Sequence, residues 1–433
     1  MNSKNIGIGL MGLGVISGQV ARVLKEKADV LAEQVGCPLV LKKIKVLPAD
    51  LKRPLAAEFD QALFTTDDAE FFETAGIDIV VEAIGGEYPA FDYLQRALSA
   101  RQHVVTSNKE VIAKHGSELF EIARKHDVSL RYEASVGGGI PLISPFMFDL
   151  VANRIRGIYA IINGTTNYIL TRMAKEGVDF KVALKQAQAL GYAEANPRDD
   201  VEGIDATYKL AILSSLGFHA RVLPSDIHHE GISRLSSRDF RYAQELGFAI
   251  KLLAIAKQDD RAIEVRVHPV FISEDSLLAK VDGVYNAILV EGDLVGNVLF
   301  YGQGAGPNPT SSAVVADVVT TAQDILHGVG NRLNWLPRKI ALKPMSDLVT
   351  RYYVRMRVAD KVGVLAAITS ILGENKISIS AILQKEADEA TKSAEIVIMT
   401  HPSQEAGMQR ALSQMQGLPV VKEISNFIRV EDL

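Results

Sequence analysis

The chain has 433 residues, of which 48% are hydrophobic and 23% charged, with a formal net charge of -5. This is the composition of a globular protein of two or three domains, and it gives no reason to expect a nucleic acid or a membrane as partner. Apolar stretches are only of strand length, and the first residues lack the apolar core of an export signal. The one cysteine, Cys37, permits no internal disulfide, so we expect a cytoplasmic protein.

Between residues 6 and 136, strand-like apolar runs alternate with amphipathic segments of helix length. The predicted strands cover residues 6–11, 39–46, 77–84, 103–106 and 129–133. This alternation is typical of βαβ units around a parallel sheet. We therefore predict an α/β, Rossmann-type doubly wound domain over residues 1–136, with a segment around residues 303–330 packed back on it.

A glycine-rich turn follows the first predicted strand. Gly12 is placed to make a tight turn, and Gly14 lets the backbone approach a pyrophosphate. Ser17 occupies the position where a third glycine or alanine usually permits close helix packing. The helix that follows offers its first amides to phosphates. The cofactor contacts predicted at this turn are Gly12, Leu13, Gly14, Val15 and Ile16.

The residues after the second predicted strand bear on the choice of nicotinamide cofactor. Lys45, Lys52 and Arg53 could meet a 2′-phosphate, which favours NADP. Asp50 keeps NAD open, because an acid in this region can bind the ribose hydroxyls. Solvated loop charges are an equally simple interpretation of the cations.

The second block, residues 137–302, is predicted to be an α+β catalytic and dimerisation domain. It has helix-like segments at 179–190 and 241–257 and strand-like runs at 262–269 and 285–292. A short basic stretch within residues 331–348 is predicted to be a linker.

The third block, residues 349–433, has the element order βαββαβ. Predicted strands at 352–358, 377–382, 394–400 and 420–430 enclose helices at 363–373 and 403–416. The turn from Asp360 to Gly363 resembles that of the ACT domain, a module that commonly binds amino acids. A plain ferredoxin-like dimerisation domain would have the same periodicity.

Residues 191–209 contain five carboxylates, an arginine and a lysine. If the chain is helical from Val201 onward, Asp205 and Lys209 share one face in the favourable order. A solvated ion pair is the simple interpretation. However, the apolar run at 210–217 leads this helix into a core, and charges at a buried edge are costly unless they are paired or used.

Seven motifs, in this order, resemble the homoserine dehydrogenase family over essentially the whole chain. They lie at residues 12–14, 81–86, 104–109, 132–141, 163–168, 191–209 and 302–310. The resemblance is to the monofunctional type with a C-terminal ACT domain. It implies reversible, NAD(P)H-dependent reduction of L-aspartate 4-semialdehyde to L-homoserine, in threonine, methionine and isoleucine biosynthesis.

The resemblance also implies roles for the charged residues. Lys209 is the expected general acid for the alkoxide that hydride transfer leaves, and Lys109 competes with it for this role. Asp205 would orient the lysine or hold the substrate ammonium group, which Glu194 would also contact. Further substrate contacts are expected from Gly191 and Asp200, and further cofactor contacts from Arg53, Thr106, Ser107, Lys109 and Gly306.

A monovalent cation such as sodium is implied near the glycine loop at 137–139. Its ligands would be the Glu133 carboxylate and the backbone carbonyls of Val136, Gly138 and Ile140. A plain interdomain turn is the alternative. In residues 163–167, Thr165 or Thr166 could cap the following helix, and the family places this segment at the active site.

Two functions of other kinds would use similar domains. An aspartate-semialdehyde dehydrogenase needs a thiol nucleophile in its second domain, whereas Cys37 precedes the second strand of the first domain. A catalytically inactive amino-acid sensor would be expected to have lost the charged residues that are present here. We expect feedback inhibition, with threonine as the hypothetical effector of the ACT block, and a homodimer or homotetramer.

Overall fold

The computed structural model describes residues 5–331, 340–388 and 392–433. Most of the predicted linker, residues 332–339, lies outside the described residues. The described residues divide into two units: residues 5–156, 208–225 and 290–331 form the first, and residues 157–207, 226–289, 340–388 and 392–433 form the second. Within the described ranges, no helix is long and apolar enough to cross a bilayer.

The strands are β1 (Ile6–Met11), β2 (Leu39–Lys45), β3 (Phe64–Thr65), β4 (Ile79–Glu82), β5 (His103–Thr106), β6 (Leu130–Arg131), β7 (Ile155–Ile161), β8 (His228–His229), β9 (Phe248–Gln258), β10 (Ala262–Ser273), β11 (Tyr285–Gly292), β12 (Gly296–Gln303), β13 (Ala341–Leu342), β14 (Val349–Ala359), β15 (Ile379–Asp388), β16 (Ser393–Thr400), β17 (Ser403–Gln404) and β18 (Val421–Glu431).

The α-helices are α1 (Val15–Glu26), α2 (Ala28–Val35), α3 (Asp68–Glu73), α4 (Ala90–Ser99), α5 (Lys109–His126), α6 (Gly164–Glu176), α7 (Phe180–Ala189), α8 (Arg198–Val201), α9 (Ile204–Phe218), α10 (Ser237–Glu245), α11 (Pro307–Leu326), α12 (Val364–Glu374) and α13 (Glu405–Gln416).

The first unit is built on a six-stranded sheet with the order β3-β2-β1-β4-β5-β6. All of its pairings are parallel. This is the strand order of dinucleotide-binding folds, so the predicted Rossmann-type architecture is confirmed. The order reverses between β1 and β4, and ligands of such sheets bind at the carboxyl ends of the strands there.

The core of the first unit explains why β1 is apolar throughout. Ile8 and Leu10 are fully buried, as expected for a strand with helices on both faces of its sheet. Gly9 is also required, since a Cβ there would lie 2.8 Å from the Phe71 ring. Helix α11 packs against α1, and its Val314 and Val318 join the same core.

The second unit contains a mixed sheet in which the strands follow the order β11-β7-β9-β10-β18-β14-β16-β15. Strands β9 and β10 are antiparallel, with Ile263 opposite Gln258 and Ser273 opposite Phe248. Strand β18 pairs in parallel with β10, placing Arg429 opposite Val270. The catalytic block and the C-terminal block therefore share one sheet.

The predicted helix at residues 241–257 is wrong in its second half. Helix α10 ends at Glu245, Gly247 turns the chain with φ +78°, and β9 begins at Phe248. The alanines, leucines and lysines of this segment favour a helix by local propensity. Tertiary context overrides that preference, because β9 lies between β7 and β10 and is buried over residues 250–256.

The C-terminal block has the predicted βαββαβ order: β14, α12, β15, β16, α13 and β18. Its four strands are arranged β18-β14-β16-β15. The helices bury Ile368 and Met408 against strand residues such as Met356 and Ile396. Gly363 caps α12 with φ +91°, a conformation that favours glycine, which accounts for the glycine in the turn.

Candidate active site

The glycine turn lines a cavity of about 330 Å³ at the carboxyl edge of the parallel sheet. Gly12 has φ +93°, and a Cβ there would lie 2.9 Å from Ile84 Cγ2. Val15 and Ile16 form the first turn of α1, whose leading amides have no partner within the helix. The structure brings the predicted residues together around this cavity: Gly12, Leu13, Gly14 and Arg53.

Ser17 and Gly18 show how this turn departs from the usual three-glycine pattern. Ser17 is fully buried, and its Oγ accepts a hydrogen bond from the Gly14 N–H over 2.9 Å. A Cβ on Gly18 would overlap Leu55 Cδ2. Close packing of the helix is therefore provided one residue later than the sequence pattern indicates, while the serine fixes the turn.

Lys45 and Arg53 line the same cavity, and each is paired with a carboxylate. Lys45 Nζ lies 2.9 Å from Asp68 Oδ1, and Arg53 Nε lies 2.9 Å from Asp50 Oδ1. The third predicted cation, Lys52, is exposed.

Asp50, the acid that keeps NAD open as a cofactor, is engaged within its own loop. It is buried, and its Oδ2 accepts a hydrogen bond from the Leu47 N–H over 3.1 Å while Oδ1 contacts Arg53. Ribose hydroxyls would have to compete with both partners.

A buried carboxylate at the end of β4 organises the next loop. Glu82 Oε2 accepts a hydrogen bond from the Thr106 hydroxyl over 2.5 Å, and Oε1 accepts one from the Ile84 N–H over 2.8 Å. Burial raises the pKa of Glu82 above its usual range. The sequence contained a signal for this residue, since an acid ending an apolar strand marks the ligand-binding edge, but no role was predicted for it.

Lys109 is presented by the same network. The Thr106 hydroxyl accepts the Asn108 N–H over 2.9 Å, and Asn108 Oδ1 caps α5 by accepting the Val111 N–H over 3.1 Å. Lys109 is the first residue of α5 and is half-buried. The predicted residues Thr106, Ser107 and Lys109 thus lie at one carboxyl edge of the sheet.

Helix α9 carries Asp205 in its first turn and Lys209 one turn later, as the spacing predicts. Lys209 is half-buried. In the first unit, the hydroxyl of the adjacent Tyr208 lies 3.4 Å from Glu110 Oε1, and Glu110 follows Lys109 in α5. The residues next to the two lysines therefore contact each other.

In the second unit, Asn163 joins the two aspartates of the charged run. Its Nδ2 donates hydrogen bonds to Asp200 Oδ1 over 2.7 Å and to Asp205 Oδ2 over 2.9 Å. Asp205 is only 4% exposed. Asn163 also caps α6, with its Oδ1 accepting the Thr166 N–H over 2.8 Å. The predicted capping by Thr165 or Thr166 is thus corrected, since the cap is the asparagine.

Gly191 and Glu194 lie on the exposed turn that follows α7. Gly191 has φ +76°, which favours glycine. The Gln188 side chain donates to the Glu194 carbonyl over 3.0 Å, and the Thr165 hydroxyl donates to the Tyr192 carbonyl over 2.7 Å. The second contact ties this turn to the start of α6.

The glycine loop at 137–139 lies against the segment that contains Gly306. A Cβ on Gly138 would lie 2.5 Å from the Gly304 carbonyl oxygen, and one on Gly139 would lie 2.7 Å from Pro309 Cβ. Gly306 caps α11 with φ +116°. Small residues on both sides allow the two backbones to approach each other.

The Glu133 carboxylate, the predicted cation ligand, is hydrogen-bonded to backbone amides. Its Oε1 accepts hydrogen bonds from the Leu142 and Ile143 amides over 2.6 and 2.8 Å, and its Oε2 accepts one from the Ser144 amide over 2.8 Å. Three N–H groups directed at one carboxylate stabilise its charge without a metal ion. In the described part of the chain, no group of three or more His, Cys, Asp or Glu residues could hold a metal ion.

Asp317 is an acid that the sequence analysis missed. It is buried beside Glu133, and its Oδ2 accepts the Glu133 N–H over 2.9 Å. Burial, together with the negative charge of Glu133, raises the pKa of Asp317 to about 7. Both acids line a cavity of about 510 Å³ in the first unit.

A glycine turn at the reversal point of a parallel sheet is the binding site of a dinucleotide, and lysines can deliver protons in carbonyl reduction. The first unit combines the two features. The fold and the site thus define an NAD(P)-dependent oxidoreductase that acts on a CH–OH group.

Comparisons with known proteins identify the family. The model for homoserine dehydrogenase matches residues 141–319, and the model for its NAD binding domain matches residues 12–133. The ACT domain model matches residues 352–420. The two catalytic models together cover more than half of the chain, in the order that the motifs predicted.

Relatives that match over nearly their full length belong to the same family. A homoserine dehydrogenase of Neisseria gonorrhoeae is 40% identical over 437 residues, which cover 99% of each chain. One of Synechocystis is 43% identical over 438 residues, covering 98% of this chain and 99% of the relative. The crystal structure of a homoserine dehydrogenase from Thiobacillus denitrificans is 41% identical, with a TM-score of 0.93 and 99% of each chain covered.

This chain belongs to the homoserine dehydrogenase family, and its C-terminal block is an ACT domain. The prediction of the family, the oxidoreductase class and the three-part fold is confirmed. A hyperthermophilic archaeal homoserine dehydrogenase solved in complex with NADPH is 26% identical, with a TM-score of 0.62 over 73% of this chain and 98% of that one.

Proposed function

We propose that this chain reduces L-aspartate 4-semialdehyde reversibly to L-homoserine, with NADPH as the preferred reductant. The main support for this proposal is the placement of Lys109 and Lys209. Their neighbours in sequence, Glu110 and Tyr208, are in contact in the first unit. When bound, the reduced nicotinamide supplies a hydride to the aldehyde carbon. The chain must then supply a proton to the new alkoxide, and lysine ammonium groups are suited to this.

Lys209 is the proposed proton donor. It lies one helical turn after Asp205 in α9, and the residue is half-buried. Lys109 remains the second candidate, because the Glu82, Thr106 and Asn108 network fixes the start of its helix. Substitution of each lysine separately distinguishes the two.

The Asn163, Asp200 and Asp205 cluster is proposed to bind the substrate ammonium group. Two carboxylates held by one amide concentrate negative charge at a buried position, which suits a small cation. Glu194 and Gly191, on the exposed turn after α7, are proposed as further substrate contacts.

The cofactor site is proposed to include Gly12, Leu13, Gly14, Val15, Ile16 and Arg53 at the glycine turn, together with Thr106, Ser107, Lys109 and Gly306. The NADPH complex of the archaeal relative supports this cofactor. A monovalent cation such as sodium at Glu133 and at the carbonyls of Val136, Gly138 and Ile140 stays a prediction, and amides already stabilise the charge of the Glu133 carboxylate.

We also propose a function for each domain: residues 1–136 bind the cofactor, residues 137–302 serve catalysis and dimerisation, and residues 349–433 serve regulation. The ACT domain would bind an amino-acid effector, threonine being the hypothetical one. A cytoplasmic homodimer or homotetramer is proposed.

One assay tests the proposed reaction. Purified protein should oxidise NADPH when L-aspartate 4-semialdehyde is supplied, and mass spectrometry should identify homoserine as the product. NADPH oxidation without homoserine formation, or no turnover of the semialdehyde by a folded protein, would refute the assignment.

A further inference from the structure

Lys45 and Arg53 line one side of the cavity at the glycine turn, and we call this side the rim. A carboxylate offsets much of the charge of Lys45. Lys45 Nζ contacts Asp68 Oδ1 at 2.9 Å and donates to the Thr66 carbonyl over 2.8 Å. The Lys45 side chain is 12% exposed. An ammonium group has three N–H donors, so two of its three are used inside the protein.

Tyr93 holds Asp68 in place. The Tyr93 hydroxyl lies 3.0 and 2.9 Å from the two carboxylate oxygens of Asp68. Burial and this carboxylate raise the pKa of Tyr93 to about 12, so the phenol remains a hydrogen-bond donor at neutral pH. Both Lys45 and Tyr93 line the cavity, and Asp68 contacts both of them.

The other cation on this rim, Arg53, is paired with Asp50 at 2.9 Å. Two cations and two carboxylates leave the rim close to neutral. A phosphate monoester carries nearly two negative charges at pH 7, so a neighbouring carboxylate opposes its binding. A dinucleotide that lacks the 2′-phosphate would not be affected in this way.

We propose that Asp68, held by Tyr93, is a selectivity-determining residue that keeps the affinity for a 2′-phosphate below what Lys45 and Arg53 would give alone. Asp68 acts through its charge and through its contact with Lys45, and it is a positioning residue. The proposal depends on the nicotinamide-cofactor function proposed for this cavity.

A second ion pair on the same strand provides a matched control. Lys43 Nζ lies 2.8 Å from Glu70 Oε1. Lys43 precedes Lys45 by two residues on the same face of β2, and Glu70 follows Asp68 by two residues in α3. Lys43 and Glu70 are not among the residues that line the cavity. If these ion pairs only stabilised the fold, substitution of Asp68 and substitution of Glu70 would have the same effect on nucleotide binding.

The test measures binding of two fragments to the full chain by calorimetry: adenosine 2′,5′-bisphosphate and 5′-AMP. Asp68→Asn keeps an acceptor oxygen for Lys45 but removes the charge. It should tighten binding of the bisphosphate by about 5-fold and leave binding of 5′-AMP unchanged. Glu70→Gln should change neither dissociation constant by more than about twofold.

Asp68→Ser is a second variant that removes the charge, at a side chain that is 46% exposed. It should also tighten binding of the bisphosphate. Equal effects on both fragments, no effect of either Asp68 variant, or the same effect from Glu70→Gln would each overturn the role of Asp68. Failure of the wild type to bind either fragment would instead refute the nucleotide site and the proposal with it.

Discussion

The Asn163 side-chain amide donates a hydrogen bond to Asp205 over 2.9 Å, linking the start of α6 to the first turn of α9. The same amide reaches Asp200, while the carbonyl oxygen of the side chain caps α6. One asparagine therefore serves both the stability of a helix and the geometry of two carboxylates. The two roles can be separated by substitution.

Asn163→Ala should lose both roles. We expect the free energy of unfolding to fall by about 1 kcal/mol, because the cap is lost. We also expect KM for the semialdehyde to rise by about tenfold, because the two charge-assisted hydrogen bonds that orient the carboxylates are missing. Urea denaturation and initial-rate kinetics measure the two effects. Asn163→Ser should restore the cap but not KM, and recovery of both would contradict the bridging role.

Lys209→Met should lower kcat by about 10²- to 10⁴-fold, the usual range for loss of a general acid. Binding of NADPH, measured by fluorescence, should be unchanged. Lys109→Met should weaken NADPH binding as well as kcat, because Lys109 is proposed to contact the cofactor. Lys125→Met, at the exposed far end of α5, is the control. Near-normal kcat in Lys209→Met, with a large loss in Lys109→Met, would reverse the assignment.

Asp317 should make stability depend on pH. Its pKa is raised to about 7 in the folded chain, whereas an unfolded aspartate has a pKa of about 4, so the native state binds the extra proton between these values. The free energy of unfolding should therefore fall as pH rises through this window, with a slope from this group of up to about 1.4 kcal/mol per pH unit.

Asp317→Asn should remove that part of the slope while keeping an acceptor for the Glu133 N–H. Urea unfolding at intervals from pH 4.5 to 7.5 measures it. Asp29→Asn, at an exposed position in α2, provides the comparison. An unchanged slope in Asp317→Asn would show that the carboxyl group is already ionised at low pH.

Arg355 and Asp239 form a buried ion pair between β14 and α10 in the second unit. Arg355 Nε lies 2.8 Å from Asp239 Oδ1, and the Tyr353 hydroxyl lies 3.1 Å from the same oxygen. Arg355→Met should cost about 3 to 5 kcal/mol of unfolding free energy, because Asp239 is left buried with less compensation. Tyr353→Phe removes one neutral donor and should cost about 1 kcal/mol. Equal losses in the two variants would argue against a dominant role for the charge.

The fold was predictable from the sequence where the local residue pattern and the burial of the segment favour the same secondary structure. Strand β1 has the predicted bounds, since an apolar run next to a glycine turn is consistent with few other structures. Strand β9 was predicted as helix, because its leucines and alanines favour a helix and only the neighbouring strands decide otherwise.

The site was predictable to the extent that spacing fixes it. Asp205 and Lys209 share α9 because four residues make one turn. The bridge from Asn163 spans residues far apart in sequence, so no local pattern contains it. The amides that donate to Glu133 come from a turn nine to eleven residues later, so no local pattern indicates these hydrogen bonds.

The parallel pairing of β10 with β18 has a consequence for regulation. Backbone hydrogen bonds at Val270, Phe271 and Ile272 connect the catalytic strand to the last strand of the ACT domain. Because β10 and β18 are paired in one sheet, the ACT domain cannot rotate as a domain on a flexible linker would. An effector that changes the twist of the ACT strands would therefore distort β10 directly, and the signal would travel through main-chain geometry without requiring a hinge.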